Sequence, residues 1–222
     1  MKKFLVVLLM IISQLSFAQV TKNIGDFNSV KVFDRIAVTL VRSTENKVEI
    51  RGKRSGEVEL VNSNGDLKIR MKLDKLLQGE DIEVRVYYKD LKSIDASEGS
   101  LVSAEGVISQ DEIELNAKAG AEITLKLEVR DVEVRSVTGG IVNLSGKSDE
   151  MEVTLGTGGV INAKELVTSK TEVAIRAGGQ AEVYATDHIE TDIKAGGDIV
   201  VYGNPKSVNE KSSLGGSVTI KK

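Results

Sequence analysis

The sequence predicts an all-β chain wound as a parallel β-helix with coils of about 19 residues. Three observations predict it: period-2 alternation, glycine corners at a fixed step, and apolar columns that appear when those corners are aligned. Val, Ile and Thr alternate with charged residues through most of the chain, the pattern of half-buried strands. Proline occurs once, at Pro205, and glycine 21 times. Small-residue corners stand at Gly99-Ser100, Gly120-Ala121, Gly139-Gly140, Gly158-Gly159, Gly178-Gly179, Gly196-Gly197 and Gly215-Gly216. Their first glycines are separated by 21, 19, 19, 20, 18 and 19 residues.

Alignment on the corners gives the coil its inside and outside. Three positions after the first glycine stand Val102, Ile123, Val142, Ile161, Ala181, Ile199 and Val218. Five positions after it stand Ala104, Leu125, Leu144, Ala163, Val183, Val201 and Ile220, and the residue between is mostly polar. Upstream, the positions five and three before the glycine are apolar or small until the last repeat, which has Glu210 and Ser212. A unit this short cannot bury its apolar face alone, so neighbours must stack. A propeller blade needs about 40 residues. A β-helix needs one coil of two or three short strands per repeat, with corners that permit positive φ, and a meandering β-sandwich is the competing all-β arrangement.

Residues 19–92 read as looser coils capping the N-terminal end, continuous with the regular repeats of 93–222 in one domain. Strands are predicted at Val30–Val32, Ile36–Val41, Val48–Ile50, Val58–Val61, Leu67–Met71 and Ile82–Tyr88. Asn64-Gly65 predicts a hairpin, and Met71–Gln78 is the one stretch suited to a helical turn. No Pro/Ser-rich or low-complexity run separates domains.

Residues 1–18 have the three parts of a secretory signal: Lys2 and Lys3, the apolar run Phe4–Ile12, and Ser16-Phe17-Ala18 before the expected cut. The run is shorter than the roughly 20 residues of a membrane span. No integral membrane segment is therefore expected in the mature chain. Its removal takes two lysines, moving the formal charge from −3 to −3 − 2 = −5. Mild, interspersed charge argues against a nucleic-acid partner. Cysteine is absent and His188 is the one histidine, so thiol chemistry is unavailable and His-based metal or triad sites are disfavoured. No cofactor is expected.

The most specific surface feature is a column six positions before each corner: Glu114, Glu133, Glu152, Glu172 and Glu190, flanked by Ser93 and Asn209. On a β-helix it points outward, with neighbours about 4.8 Å apart. Adjacent like charges at that distance cost roughly 1 kcal/mol per pair in water. The bland reading is relief by Lys118, Arg135, Arg176, Lys194 and Lys211 in adjacent columns. The functional reading is a stripe for a basic partner or for weakly held Ca²⁺, which takes oxygen ligands. His188 with Asp187 and Asp192 could suggest a general base, but it is expected in the variable, solvated corner after Tyr184 and no nucleophile partners it. The glycine pairs precede no helix, so they are corners and not phosphate loops. Of Tyr87 and Tyr88, on opposite faces of one strand, at most one can be a surface platform.

Phe27-Asn-Ser-Val-Lys-Val, Ile36-Ala-Val-Thr-Leu and Val48-Glu-Ile-Arg-Gly resemble the auto-transporter adhesin head GIN domain family. So do Gly65-Asp-Leu-Lys-Ile and Leu91-Lys-Ser-Ile-Asp-Ala-Ser, and the likeness spans about residues 24–220. The resemblance implies a right-handed β-helix exported by bacteria, with an adhesin-like role and no catalytic residue to carry over. A self-secreting autotransporter ends in a membrane barrel. This sequence stops two residues after its last repeat strand, so periplasm and cell surface of a Gram-negative bacterium are both expected.

The leading expectation is a non-catalytic envelope binding module whose partner is an envelope protein or glycan. A scaffold that forms homo-oligomers through its solenoid ends competes with it, and a polysaccharide lyase or hydrolase is the third reading.

Overall fold

A computed structural model describes residues 20–221; the signal segment expected at 1–18 lies outside the described residues. The chain forms one 16-stranded sheet wound as a β-solenoid of about seven turns, with no α-helix among the described residues. Five long strands make the regular coils: β9 (Leu101–Lys118), β10 (Glu122–Val137), β11 (Ile141–Gly156), β12 (Gly159–Ile175) and β13 (Gly179–Ala195). Each pairs in parallel with the next, and Ile123 falls on Val142 just as the alignment requires. The last coil is split into β14 (Asp198–Tyr202), β15 (Ser207–Leu214) and β16 (Ser217–Ile220).

A coil is therefore one bent strand and not two or three separate ones. The inward residues of β10 are Ile123, Leu125, Leu127 and Val129, then Val132, Val134 and Ser136. The step of three between Val129 and Val132 leaves Arg130 and Asp131 together on the outside, and the pairing ladder skips Arg130 there. That is the bend opposite the glycine corner. Each Val or Ile so stacked contributes roughly 1.5–3 kcal/mol of burial.

The corners divide labour between their two small residues. Gly139 takes φ +71° with open space around it, whereas a Cβ on Gly140 would lie 2.3 Å from the Ala117 carbonyl oxygen of the preceding coil. The first glycine supplies a left-handed backbone and the second supplies close approach. The residue before the corner is also left-handed at Glu98, Ala119, Thr138 and Thr157, with φ 57°, 51°, 51° and 50°. A β-branched residue is strained there. Thr138→Asn is accordingly expected to raise stability by up to about 1 kcal/mol, measured by urea unfolding.

The N-terminal part departs from a simple succession of coils. β2 (Ser29–Val32) and β3 (Ala37–Arg42) form a coil lying between β6–β7 (Asp66–Met71, Glu83–Tyr88) and β8–β9, where β8 is Ser93–Ala96. The chain thus threads these layers out of order. Antiparallel strands complete the cap: β5 (Val58–Ser63) on β6, β4 (Lys47–Arg51) on β7, and β1 (Val20–Asn23) on β4. The Asn64-Gly65 hairpin is present, with φ +54° and +86°. The helical turn shrinks to a 3₁₀ turn at Leu73–Lys75. Tyr88 is buried, while Tyr87 faces out with the Lys47 ammonium 4.1 Å from its ring centre.

At the other end the inward columns turn polar: Val173, Thr191 and Glu210 are register neighbours, as are Ile175, Ile193 and Ser212. β15 is exposed along its whole length. A charge at an inward position blunts an open strand edge. Glu210→Val should therefore promote concentration-dependent association in sedimentation velocity, where the parent chain sediments more slowly.

Candidate functional site

The expected carboxylate column forms by register. Glu114 pairs with Glu133, Glu133 with Glu152, Glu152 with Glu172 and Glu172 with Glu190, each on a neighbouring coil. All lie on the outward face of the strand segment that precedes the corner, between the buried Ile113, Val132 and Met151 on one side and Leu115, Val134 and Val153 on the other. The column also runs further than the repeats reveal. Ser93 pairs with Glu114 and with Ser29, and Ser29 pairs with Asp66, so the row continues across the out-of-order cap.

A second acidic row lies beside the first. Glu112, Asp131 and Glu150 are register neighbours, followed by Lys170 and His188. They stand two positions upstream of the glutamate column, eight before the corner glycine. The same corner alignment contains them, at a position that turns basic in the later coils. Together the two rows line a shallow depression of about 590 Å³ that holds Asp66, Glu112, Glu114, Asp131, Glu133, Glu150 and Glu152, with Lys92 at its edge.

Relief by cations is uneven. Of the five bases expected to interleave, only Lys211 reaches the column, 2.8 Å from Glu190. Lys118 goes to Asp95 and Lys194 to Asp192, while Arg135 and Arg176 make no ion pair among the described residues. In the second row Lys170 pairs with Glu150 and Arg130 with Asp131, and Lys31 pairs with Asp66. Glu112, Glu114, Glu133, Glu152 and Glu172 are exposed and lack an ion pair among the described residues, though Asn116 donates a hydrogen bond to Glu114. The unpaired acids are thus densest towards the N-terminal half of the face, while Lys206 and Lys211 pair with Asp187 and Glu190 in the C-terminal half.

The Lys211 hydrogen bond, then its charge, hold the Glu190 carboxyl below its ordinary value. A depressed carboxyl stabilises the fold above its unfolded value and loses that contribution as pH falls through the folded one. Lys211→Ala should move the Glu190 titration upward in carboxyl-detected NMR.

Among the described residues, no group of three or more His, Cys, Asp or Glu is placed to hold a metal ion. His188 lies within β13 and not in a loop. Asp187 is engaged by Lys206 at 2.5 Å and Asp192 by Lys194 at 2.8 Å, so neither orients the imidazole as a base. The face can attract and align positive groups; among the described residues it presents no arrangement of nucleophile and base.

A family model described as "Putative auto-transporter adhesin, head GIN domain" matches residues 26–205. None of the curated proteins matches the chain. Among solved structures, a "putative adhesin" from Bacteroides fragilis has a TM-score of 0.85 at 16% identity, covering 94% of this chain and 98% of that one. A "putative adhesin" from Parabacteroides distasonis has 0.76 at 20%, covering 93% and 97%. A "putative lipid binding protein" from Parabacteroides distasonis has 0.71 at 15%, covering 94% and 98%. At these identities the likeness is one of fold.

Proposed function

We propose, given that the chain belongs to the auto-transporter adhesin head GIN domain family, that it is a non-catalytic binding module of the bacterial cell envelope. Its contact surface is the double acidic row, and its partner is an envelope protein or glycan that presents positive charge. The observation that carries this reading is the cluster of four exposed glutamates in the depression, with Glu114, Glu133 and Glu152 stacked in register and Glu112 beside Glu114 on its strand, none of them in an ion pair among the described residues. A rigid sheet fixes like charges about 4.8 Å apart, at a standing electrostatic cost that a cationic partner would relieve. Complementary fields of this kind speed encounter and select partners.

Export to the periplasm or the surface belongs to the same proposal, supported by the signal-like residues 1–18 and by the family's adhesin description. Capture from envelope extract tests it. The parent chain should retain one or more basic components that Glu114→Gln/Glu133→Gln/Glu152→Gln releases. Identical captures by both would contradict the assignment of this face. Protease treatment of intact cells separates the two locations, since only a surface-exposed chain is cut.

A further inference from the structure

We propose that the N-terminal cap docks on an anionic lipid surface through an enlarged corner that carries Leu73, Leu76 and Leu77. The coil register isolates this loop. Between Val32 and Ala37 the corner has four residues, 33–36, and between Ala96 and Leu101 it again has four, 97–100. The layer stacked above them runs from Ile69 to Glu83 and spends thirteen residues, 70–82, on the same corner. Met71 and Ile82 at its two ends join the core, while residues 72–78 add no buried residue to it. Leu73 is 75% exposed, Leu76 50% and Leu77 45%.

The loop is held in this form. Asp34, only 1% exposed, accepts the Met71 amide at 2.9 Å and the Leu77 amide at 2.8 Å through its two carboxylate oxygens. Its backbone carbonyl accepts the Gly79 amide at 3.0 Å. A Cβ on Gly79 would lie 2.4 Å from that carbonyl oxygen, so the loop returns against the coil beneath it. Leu77 adopts φ +60°, a strained backbone for a branched apolar residue. The strain directs its amide to the buried carboxylate while its side chain stays in solvent. Exposed leucines maintained by a buried charge and a strained backbone point to a contact outside the chain.

The surrounding charge selects the occupant. Lys72 and Lys75 alternate with the leucines, and Lys53 stands on the adjoining segment, where Arg54 donates to Gln78 at 3.2 Å. None of these three lysines is in an ion pair among the described residues. Glu80 and Asp81 are taken by Arg35 and Arg54, leaving Asp74 as the one uncompensated acid of the loop. An apolar tip rimmed by free lysines on an otherwise acidic chain matches a negatively charged lipid interface: leucines enter the acyl boundary and lysines meet phosphates. The exposed stretch 72–78 has no Trp, Tyr or Arg of the kind that anchors protein–protein contacts.

Vesicle co-sedimentation tests this with the purified chain and two variants that share its N-terminus: Leu73→Ser/Leu76→Ser/Leu77→Ser and Lys72→Glu/Lys75→Glu. Vesicles of phosphatidylglycerol with phosphatidylethanolamine should bind the parent chain at least tenfold more tightly than phosphatidylcholine alone. Each variant should bind the anionic vesicles about tenfold or more weakly than the parent. Its thermal melting should be unchanged, because none of the replaced side chains is buried. A parent chain that ignores anionic vesicles would assign the leucines to a protein contact and overturn the proposal. So would a triple-serine variant that binds as the parent does, or equal binding to both lipid mixtures.

Discussion

Gly140→Ala is expected to destabilise the protein by about 3 kcal/mol, near the upper end of what overpacking costs. The added methyl would sit 2.3 Å from the Ala117 carbonyl oxygen and 2.6 Å from its carbon, with the Lys118 nitrogen at 3.0 Å. These are backbone atoms of the neighbouring coil, so no side chain can turn aside to make room. Relief requires the two coils to separate at the corner, which weakens the 2.9 Å hydrogen bond that the Ile141 amide donates to the Ala121 carbonyl of the neighbouring coil. Gly139→Ala is the control. Its methyl meets open space at φ +71°, so only left-handed strain remains, about 1 kcal/mol. Urea unfolding of the two variants should therefore separate adjacent glycines that look equivalent in the repeat. Equal losses would mean that both act through backbone freedom alone.

Asp34→Ala should cost about 3 kcal/mol, because it leaves the Met71 and Leu77 amides without their acceptor inside the cap. Both bonds are charge-assisted, which places them among the stronger hydrogen bonds of a protein. The loss reaches beyond stability. Leu77 would no longer have a reason to hold φ +60°, and the 72–78 segment should gain hydrogen-exchange rate before the rest of the sheet. Exchange mass spectrometry should show that local change in Asp34→Ala, with the regular coils from β10 to β13 protected as in the parent.

The regular half of the fold was legible because each coil repeats one steric problem. An inward Ile123 demands an inward Val142 above it, and the same demand recurs at every corner, so a 19-residue alignment recovers the register directly. The cap was legible only as strands. Its layer order rests on pairings such as Val30 with both Leu67 and Ile94, which are long-range and carry no local mark in the sequence. The insertion of β2–β3 between β6–β7 and β8–β9 could not be read from alternation, since every strand involved alternates alike.

The carboxylate face shows the same division. Glu114 to Glu190 were legible from the corners. Glu112, Asp131 and Glu150 lay in the same alignment, masked by Lys170 and His188 at its later positions, which make the column look mixed. Ser29 and Asp66 were out of reach, because their coils lack the glycine corner on which the columns are counted. The cation pairs were illegible for a different reason. Sequence places Arg135 and Lys118 in the columns four and two positions before the corner, but side-chain reach and competing acids decide the pairs, and Asp95 takes Lys118 at 3.1 Å.

Isothermal titration of an oligolysine peptide tests the central claim most directly, using the parent chain, Glu114→Gln/Glu133→Gln/Glu152→Gln, and Glu165→Gln, which lies outside the acidic depression. At low salt the parent and Glu165→Gln should bind alike. The triple variant should lose about tenfold or more in affinity, and added salt should erase the difference. Equal affinity for all three would show that the stacked carboxylates are only a solvated face of the solenoid.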